Sequence, residues 1–298
     1  MSEKTLITKF FERNHIKKNV SLSIGDDAAL FNIPAGFELA TSIDTLVNGV
    51  NFPETTTPED IGYKAMAVSL SDMAAMGAQP ETALLSLTMP TASQTWLDAF
   101  SKGLFELIEQ YDMQLIGGDI TKGSLSITTV VNGIIPINKA LKRSGANAGD
   151  SIYVTGSLGD AALGLMKDPK PDCLFRLNRP TPRVSTGLLL RDIASAAIDI
   201  SDGLAADLEK LCEASNVGAL VNSENIPRNK ASIKTALTGG DDFELCFTVP
   251  AEKELQLKSL DFDCPIQKIG NITAEKTVDF IDSNGERIEL EFKGYEHF

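Results

Sequence analysis

Acidic residues recur beside glycine, serine or strand ends along this chain. They are Asp26-Asp27 in SLSIGDDAALF, Ser42 and Asp44 in SIDTL, Asp72 in SLSDMAA and Asp119 in LIGGDI, then Asp199, Ser201 and Asp202 in IDISDGL, and Asp241 in TGGDDFEL. Oxygen donors of this kind suit hard cations such as Mg2+, which take carboxylates together with substrate phosphates and need no histidine or cysteine. Each place also has a plain reading. Asp26-Asp27 makes a polar turn, Gly117-Gly118-Asp119 a β-turn, and Ser201 or Asp202 a helix N-cap. A helix start also suits phosphate, and glycines such as Gly118 let backbone approach a ligand. Asp72 is the most informative by geometry. On a helix over 58–76 it shares a stripe with Ile61, Ala65, Val68 and Met76, the face expected to pack. A carboxylate there must be paired, protonated, at a cleft or bound to metal. Together, the acidic turns could converge on one site holding several oxygen-ligated cations.

Other chemistries find no support. The two histidines, His15 and His297, stand at opposite ends, against a zinc site or a histidine-based triad. No P-loop and no EF-hand spacing is present, and VTGSLGDAALGL reads as a tight turn rather than a phosphate fingerprint. The four cysteines, at 173, 212, 246 and 264, include no C-x-x-C pair, so neither a zinc site nor a disulfide framework is expected. A net charge of −14 argues against a nucleic-acid partner or an anionic membrane. The N-terminus lacks the apolar core of a signal peptide, and no stretch reaches the roughly 20 apolar residues of a membrane span. A cytoplasmic location is the expectation.

The elements that must position these residues are legible in outline. Residues 5–14 read as a short amphipathic helix, with strands at 28–31 and 38–43. Thr57, Pro58, Glu59-Asp60 and Gly77 mark the ends of the 58–76 helix. ETALLSLTM is a strand, TASQ opens a helix to Tyr111, and strands follow at 113–116 and 124–135. RSGANAGD, rich in turn formers, separates residues 1–142 from 143–298. Beyond it, strands at 151–155, 196–200, 218–222 and 244–249 alternate with helices from 158 and at 184–194, 203–215 and 230–237. The tail carries strands at 266–269 and 277–282, then an Asn284-Gly285 hairpin turn and a strand at 286–292. An α+β first half and a βα-rich second half follow.

In order along the chain, GDDAAL, SIDTLV, GYKAMAVSLSDMAAMGAQP, YDMQLIGGDITKG, RSGANAGD, AIDISDGLAADL, GGDDFELCFTVP and GYEHF resemble the thiamine-monophosphate kinases. These belong to the superfamily of aminoimidazole ribonucleotide synthetase and selenophosphate synthetase. The resemblance implies a two-domain fold: an N-terminal α+β domain whose sheet pairs in a homodimer, and a C-terminal α/β domain, with ATP in the cleft beneath it. It implies transfer of the ATP γ-phosphoryl group to thiamine monophosphate. Carried over by motif, Asp27, Ser42, Asp44, Asp72, Asp119, Asp199 and Asp202 would hold several Mg2+ ions. Gly118, Asp119, Arg143 and Ser201 would contact ATP, and Asn51, Asp241 and Tyr295 the thiamine substrate. The acceptor phosphate ionises near pH 6, so no general base is required.

Three residues depart from the family pattern: Asn51 replaces a frequent histidine, Asp241 the usual glutamate, and Ile43 a hydroxyl residue. Competing readings are another ATP-dependent kinase or synthetase of the superfamily, a two-metal phosphatase, or a non-catalytic nucleotide-binding module. Selenophosphate synthetase chemistry wants a reactive cysteine near the N-terminus, and the first here is Cys173.

Overall fold

The computed structural model describes residues 2–13 and 15–295. The chain groups into two compact units, Met1–Met73 with Ala78–Asn138, and Ala74–Gly77 with Lys139–Phe298. His297 and the end of the GYEHF motif lie outside the described residues.

The first unit begins with α1 (Glu3–Phe10), shorter than the 5–14 expected, and the small strands β1 (Val20–Leu22) and β2 (Leu30–Phe31). Then come β3 (Phe37–Val47), α2 (Pro58–Ala75), β4 (Gln79–Met89), α3 (Gln94–Gln110), β5 (Gln114–Lys122) and β6 (Ser126–Pro136). Four strands form one sheet in the order β3-β6-β4-β5, with β4 and β5 parallel and the other pairs antiparallel. α3 is the crossover the parallel pair needs. α2 starts as expected, for Asp60 N–H donates to Thr57 Oγ1 at 3.2 Å, and Gly77 beyond its end has φ +62. The expected packing stripe needs correction. Every residue from Ile61 to Ser71 is buried, so α2 is enclosed on nearly all sides, while Met76 lies past its end and is exposed. Such burial requires close neighbours. A Cβ on Gly103 would lie 1.8 Å from Glu59 O, and one on Gly62 would lie 2.1 Å from Phe100 O. Glycine at both positions lets the backbones of α2 and α3 touch.

The second unit holds β7 (Ser151–Thr155), α4 (Asp160–Leu163), α5 (Pro171–Asn178), α6 (Val184–Leu190), β8 (Ala196–Ile200), α7 (Leu204–Ser215), β9 (Gly218–Asn222), α8 (Ile233–Thr238), β10 (Glu244–Val249), α9 (Glu254–Lys258), β11 (Ile266–Thr273) and β12 (Val278–Ile281). Its sheet has the order β12-β9-β11-β7-β10-β8, with β12–β9 parallel and the other pairs antiparallel. The alternation of strands and helices thus resolves into an α+β unit with a mostly antiparallel sheet. Ala196, Ile198 and Ile200 of β8 pack with Leu204, Leu208 and Leu211 of α7. Strand alternation places Asp199 on the opposite face of β8.

α5 and α9 were not expected. The strand expected at 286–292 is absent among the described residues. Gly285, φ +81, does make the turn, but pairing ends with a single bridge of Ile281 to Arg287 and Ile288 N–H donating to Phe280 O at 2.8 Å. Among the described residues no helix is long and apolar enough to cross a membrane.

Candidate active site

In the first unit, β3 and α2 bring two acids together by a reciprocal arrangement. Ser42 and Asp44, two apart on a strand, face one way; Ser69 and Asp72, three apart on a helix, meet them. Ser42 Oγ donates to Asp72 Oδ2, and Ser69 Oγ donates to Asp44 Oδ2 at 2.9 Å. Each serine serves the acid of the other element. Burial and the nearby charge of Asp72 push the Asp44 carboxyl up to about 6, against the lowering effect of Ser69. Two half-buried carboxylates repelling each other among hydroxyls are a donor set that a hard cation would relieve. Ile43, the departure between them, is 65% exposed on the other face of β3, the face that also carries Leu39 and Val47.

A second acidic group lines a cavity of about 870 Å3 in the same unit, walled by α1, the 24–29 turn and β5. Asp26, Asp27, Gly118 and Asp119 all border it. Asp26 closes the turn locally, its Oδ1 accepting from Asp27 N–H at 2.9 Å. Sheet packing requires glycine at 118, because a Cβ there would lie 1.9 Å from Leu85 O on β4. Sheet register puts Asp44, Thr129, Leu85 and Gly118 in one transverse row. Three strand spacings separate the ends of that row, roughly 14 Å. The acids of this unit therefore gather as two groups, on the edge strands β3 and β5. Among the described residues no three His, Cys, Asp or Glu side chains are close enough to enclose a metal ion. Paired carboxylates match Mg2+, which is commonly held by one or two carboxylates, with phosphates and water completing its shell.

In the second unit the SDG turn gathers four of the expected residues. Neither Ser201 nor Asp202 is the helix cap. Gly203 takes that place with φ 124, and the N–H groups of Ser201, Asp202 and Gly203 donate to Asp207 Oδ2 at 3.0, 2.9 and 3.1 Å. The backbone donors of residues 201–203 are thus already used by Asp207. Lys210 Nζ donates to Asp202 Oδ2 at 2.5 Å and to Asp207 Oδ1 at 2.8 Å. Asp241 N–H donates to Ser201 O at 2.9 Å, and Tyr295 N–H to Asp202 O at 3.0 Å. Buried Asp199 is the penultimate residue of β8.

Arg143 is not brought to this group. Its carbonyl accepts from Ser215 Oγ at 2.9 Å, at the far end of α7. That is about 18 Å from the turn, at 1.5 Å per helical residue. Asn51, in the first unit, uses its side-chain oxygen to close its own loop, accepting from Val47 N–H at 2.9 Å. The fully buried Lys64 of α2 donates to Asn51 O at 3.1 Å.

Models of the AIR synthase related protein family match both parts of the chain, the N-terminal domain over residues 25–135 and the C-terminal domain over 147–283. The thiamine-monophosphate kinase of Salmonella typhimurium is 45% identical, covering 99% of this chain and 98% of that one. The chain belongs to the thiamine-monophosphate kinase family. The crystal structure of the thiamine-monophosphate kinase from Stenotrophomonas maltophilia superposes with a TM-score of 0.84 at 41% identity, covering 91% of this chain and 93% of that one. AaThiL complexed with AMPPCP and TMP superposes at 0.79 with 29% identity, over 99% of this chain and 96% of that one.

Reading the chain as a thiamine-monophosphate kinase by motif alone missed Ser69, Asp207 and Lys210. A signal exists for each. Ser69 stands three residues before Asp72, the spacing that puts two helical side chains on one face, as a spacing of two does for Ser42 and Asp44 on the strand. Asp207 and Lys210 follow the SDG turn at the spacing of the first helical turns, where an acid meets free N–H groups.

Proposed function

We propose that this protein transfers the γ-phosphoryl group of ATP to thiamine monophosphate, yielding thiamine diphosphate and ADP, as a Mg2+-dependent step of thiamine diphosphate biosynthesis. The observation that carries the proposal is the crossed Ser42–Asp72 and Ser69–Asp44 pair, in a chain similar over its full length to thiamine-monophosphate kinases. In this reading Asp27, Ser42, Asp44, Asp72 and Asp119 of the first unit hold Mg2+, as do Asp199 and Asp202 of the second. Gly118, Asp119, Arg143 and Ser201 meet ATP. Arg143 and Ser201, at opposite ends of α7, address different groups of the nucleotide. Asn51, Asp241 and Tyr295 meet the thiamine substrate. Residues 1–142 would form the ATP- and Mg2+-binding and dimerisation domain, and 143–298 the C-terminal domain.

Bound Mg2+ would neutralise the phosphates and suppress their mutual repulsion. The protein's own part is positioning and charge placement for an in-line transfer. The acceptor oxygen is already largely ionised at neutral pH, so no side chain need remove a proton. Asp202 is held by Lys210 and Asp44 by Ser69, so the carboxylates are oriented before ligands arrive.

A homodimer is part of the proposal. β3 is an eleven-residue edge strand carrying Leu39, Ile43 and Val47 on its open face, at 48%, 65% and 38% exposure. Long apolar edges of this kind are commonly covered by a partner. The four free, buried cysteines suit a reducing cytoplasm.

Phosphorus NMR of the protein with ATP, Mg2+ and thiamine monophosphate tests the function, beside a control lacking acceptor. Thiamine diphosphate and ADP should appear together, only with acceptor. Phosphate release in both tubes, or unchanged ATP in both, refutes it.

A further inference from the structure

The Ser201–Gly203 turn is tied on both sides. Below it, three N–H groups converge on Asp207 Oδ2. Above it, Ile200 O accepts from Phe243 N–H at 2.8 Å, Ser201 O from Asp241 N–H at 2.9 Å and Asp202 O from Tyr295 N–H at 3.0 Å. Two of these residues adopt costly backbone, Asp241 at φ 67 and Phe243 at φ 50, while the turn's φ of 124 at residue 203 is open to glycine. Non-glycine residues at positive φ persist where surrounding bonds over-determine them. Asp207 is 1% exposed, and Lys210 links its second oxygen to Asp202.

From these contacts we propose that Asp207, supported by Lys210, is the positioning residue of the site. One buried carboxylate sets the turn that carries Ser201 and Asp202, and through the turn's carbonyls it sets the backbone of Asp241 and Tyr295. The inference rests on the assignment of those four residues to ATP, metal and thiamine proposed above. Asp207 itself touches none of the reacting atoms. Its consequence is coupling, since residues for both ligands hang from one turn. Disturbing the anchor should weaken both ligands together, whereas a purely structural residue would lower the amount of folded protein and leave the KM values alone.

The test uses the full chain with Asp207→Asn, Lys210→Met and the conservative Lys210→Arg. Amide hydrogen exchange is read by mass spectrometry over peptides spanning 198–204 and 239–245, and both KM values are measured. Losing charged hydrogen bonds should speed exchange in both segments by about tenfold and raise both KM values by a similar factor, with β7 and β11 still protected. Lys210→Arg should stay close to the parent chain. Faster exchange at 201–203 with 241–243 and both KM values unchanged would overturn the proposal. Should Asp207→Asn not fold, Lys210→Met decides: faster exchange in both segments supports positioning, and exchange like that of the parent chain refutes it. A parent chain without kinase activity would refute the functional reading, while the exchange pattern would still decide the anchoring role.

Discussion

Asp44 should cost the protein stability in return for its place in the site. Burial and the charge of Asp72 raise its carboxyl from 3.8 to about 6. At roughly 1.4 kcal/mol per tenfold change in proton affinity, the charged form costs the folded state about 3 kcal/mol. The sign follows from linkage. Below about pH 4 the carboxyl is protonated in both states and the cost vanishes. Between 3.8 and about 6 the unfolded chain loses its proton first, so stability falls as pH rises; above about 6 the full cost is present. Asp44→Asn removes the charge and keeps an acceptor for Ser69. In metal-free buffer at pH 7.5 the variant should therefore be more stable by about 1–3 kcal/mol, a rise of several degrees in Tm. At pH 4 the gain should disappear. Added Mg2+ should stabilise the parent chain and leave the variant nearly unmoved, while phosphoryl transfer by the variant collapses. Thermal melts at the two pH values, with EDTA or Mg2+, make the comparison. A variant no more stable than the parent at pH 7.5, or a gain equally large at pH 4, would refute the reasoning.

Other outcomes follow from the same contacts. Asp72→Asn should lose phosphoryl transfer at every Mg2+ concentration; near-normal rates at saturating Mg2+ would remove Asp72 from the metal site. Glu244→Ala should destabilise the second unit by about 3–5 kcal/mol in urea melts, because it takes the buried carboxylate from two guanidinium groups that are only 16% and 13% exposed. Arg183 donates to Glu244 through Nε at 2.6 Å, Arg176 donates to it as well, and Thr155 Oγ1 adds a bond at 2.5 Å. Burial works against the charge of Arg183, yet Glu244 holds its guanidinium above the ordinary range. If the proposed dimer forms through the open face of β3, Ile43→Lys should convert it to monomer in size-exclusion chromatography with light scattering, while costing the fold of the single chain no more than about 0.5 kcal/mol.

Much of the architecture was legible because local rules agreed. β7, β8 and β9 are short apolar runs bounded by turn formers, and they form where the pattern placed them. α2 announced its start with Thr57 and Pro58. Local rules failed where tertiary contacts took over. The residues after Gly285 carry an alternating pattern, but a neighbouring strand reaches them for one bridge, and without a ladder they form no strand. α5 starts at Pro171 and runs only eight residues, with no side-chain cap at Lys170, so it is too short for its period to stand out from the sequence.

The candidate site divides the same way. The sequence by itself determined the chemistry on offer: carboxylates and hydroxyls beside glycines, almost no histidine, and an acidic surface that needs cations before it can accept phosphates. Spacing also placed Asp72 on a helix and Asp44 on a strand. Only the tertiary structure decided which acids meet. Ser42 and Asp72 are 30 residues apart in sequence, and Asp44 and Ser69 are 25 apart; their pairing exists because β3 lies alongside α2. Only the structure showed that Asp207 gathers the N–H groups of the turn ahead of α7, and that neither Ser201 nor Asp202 caps the helix. The physical reason is shared: a residue's type sets what it can bond, but free N–H groups and repelling charges are satisfied by whatever the packed chain brings within about 3 Å.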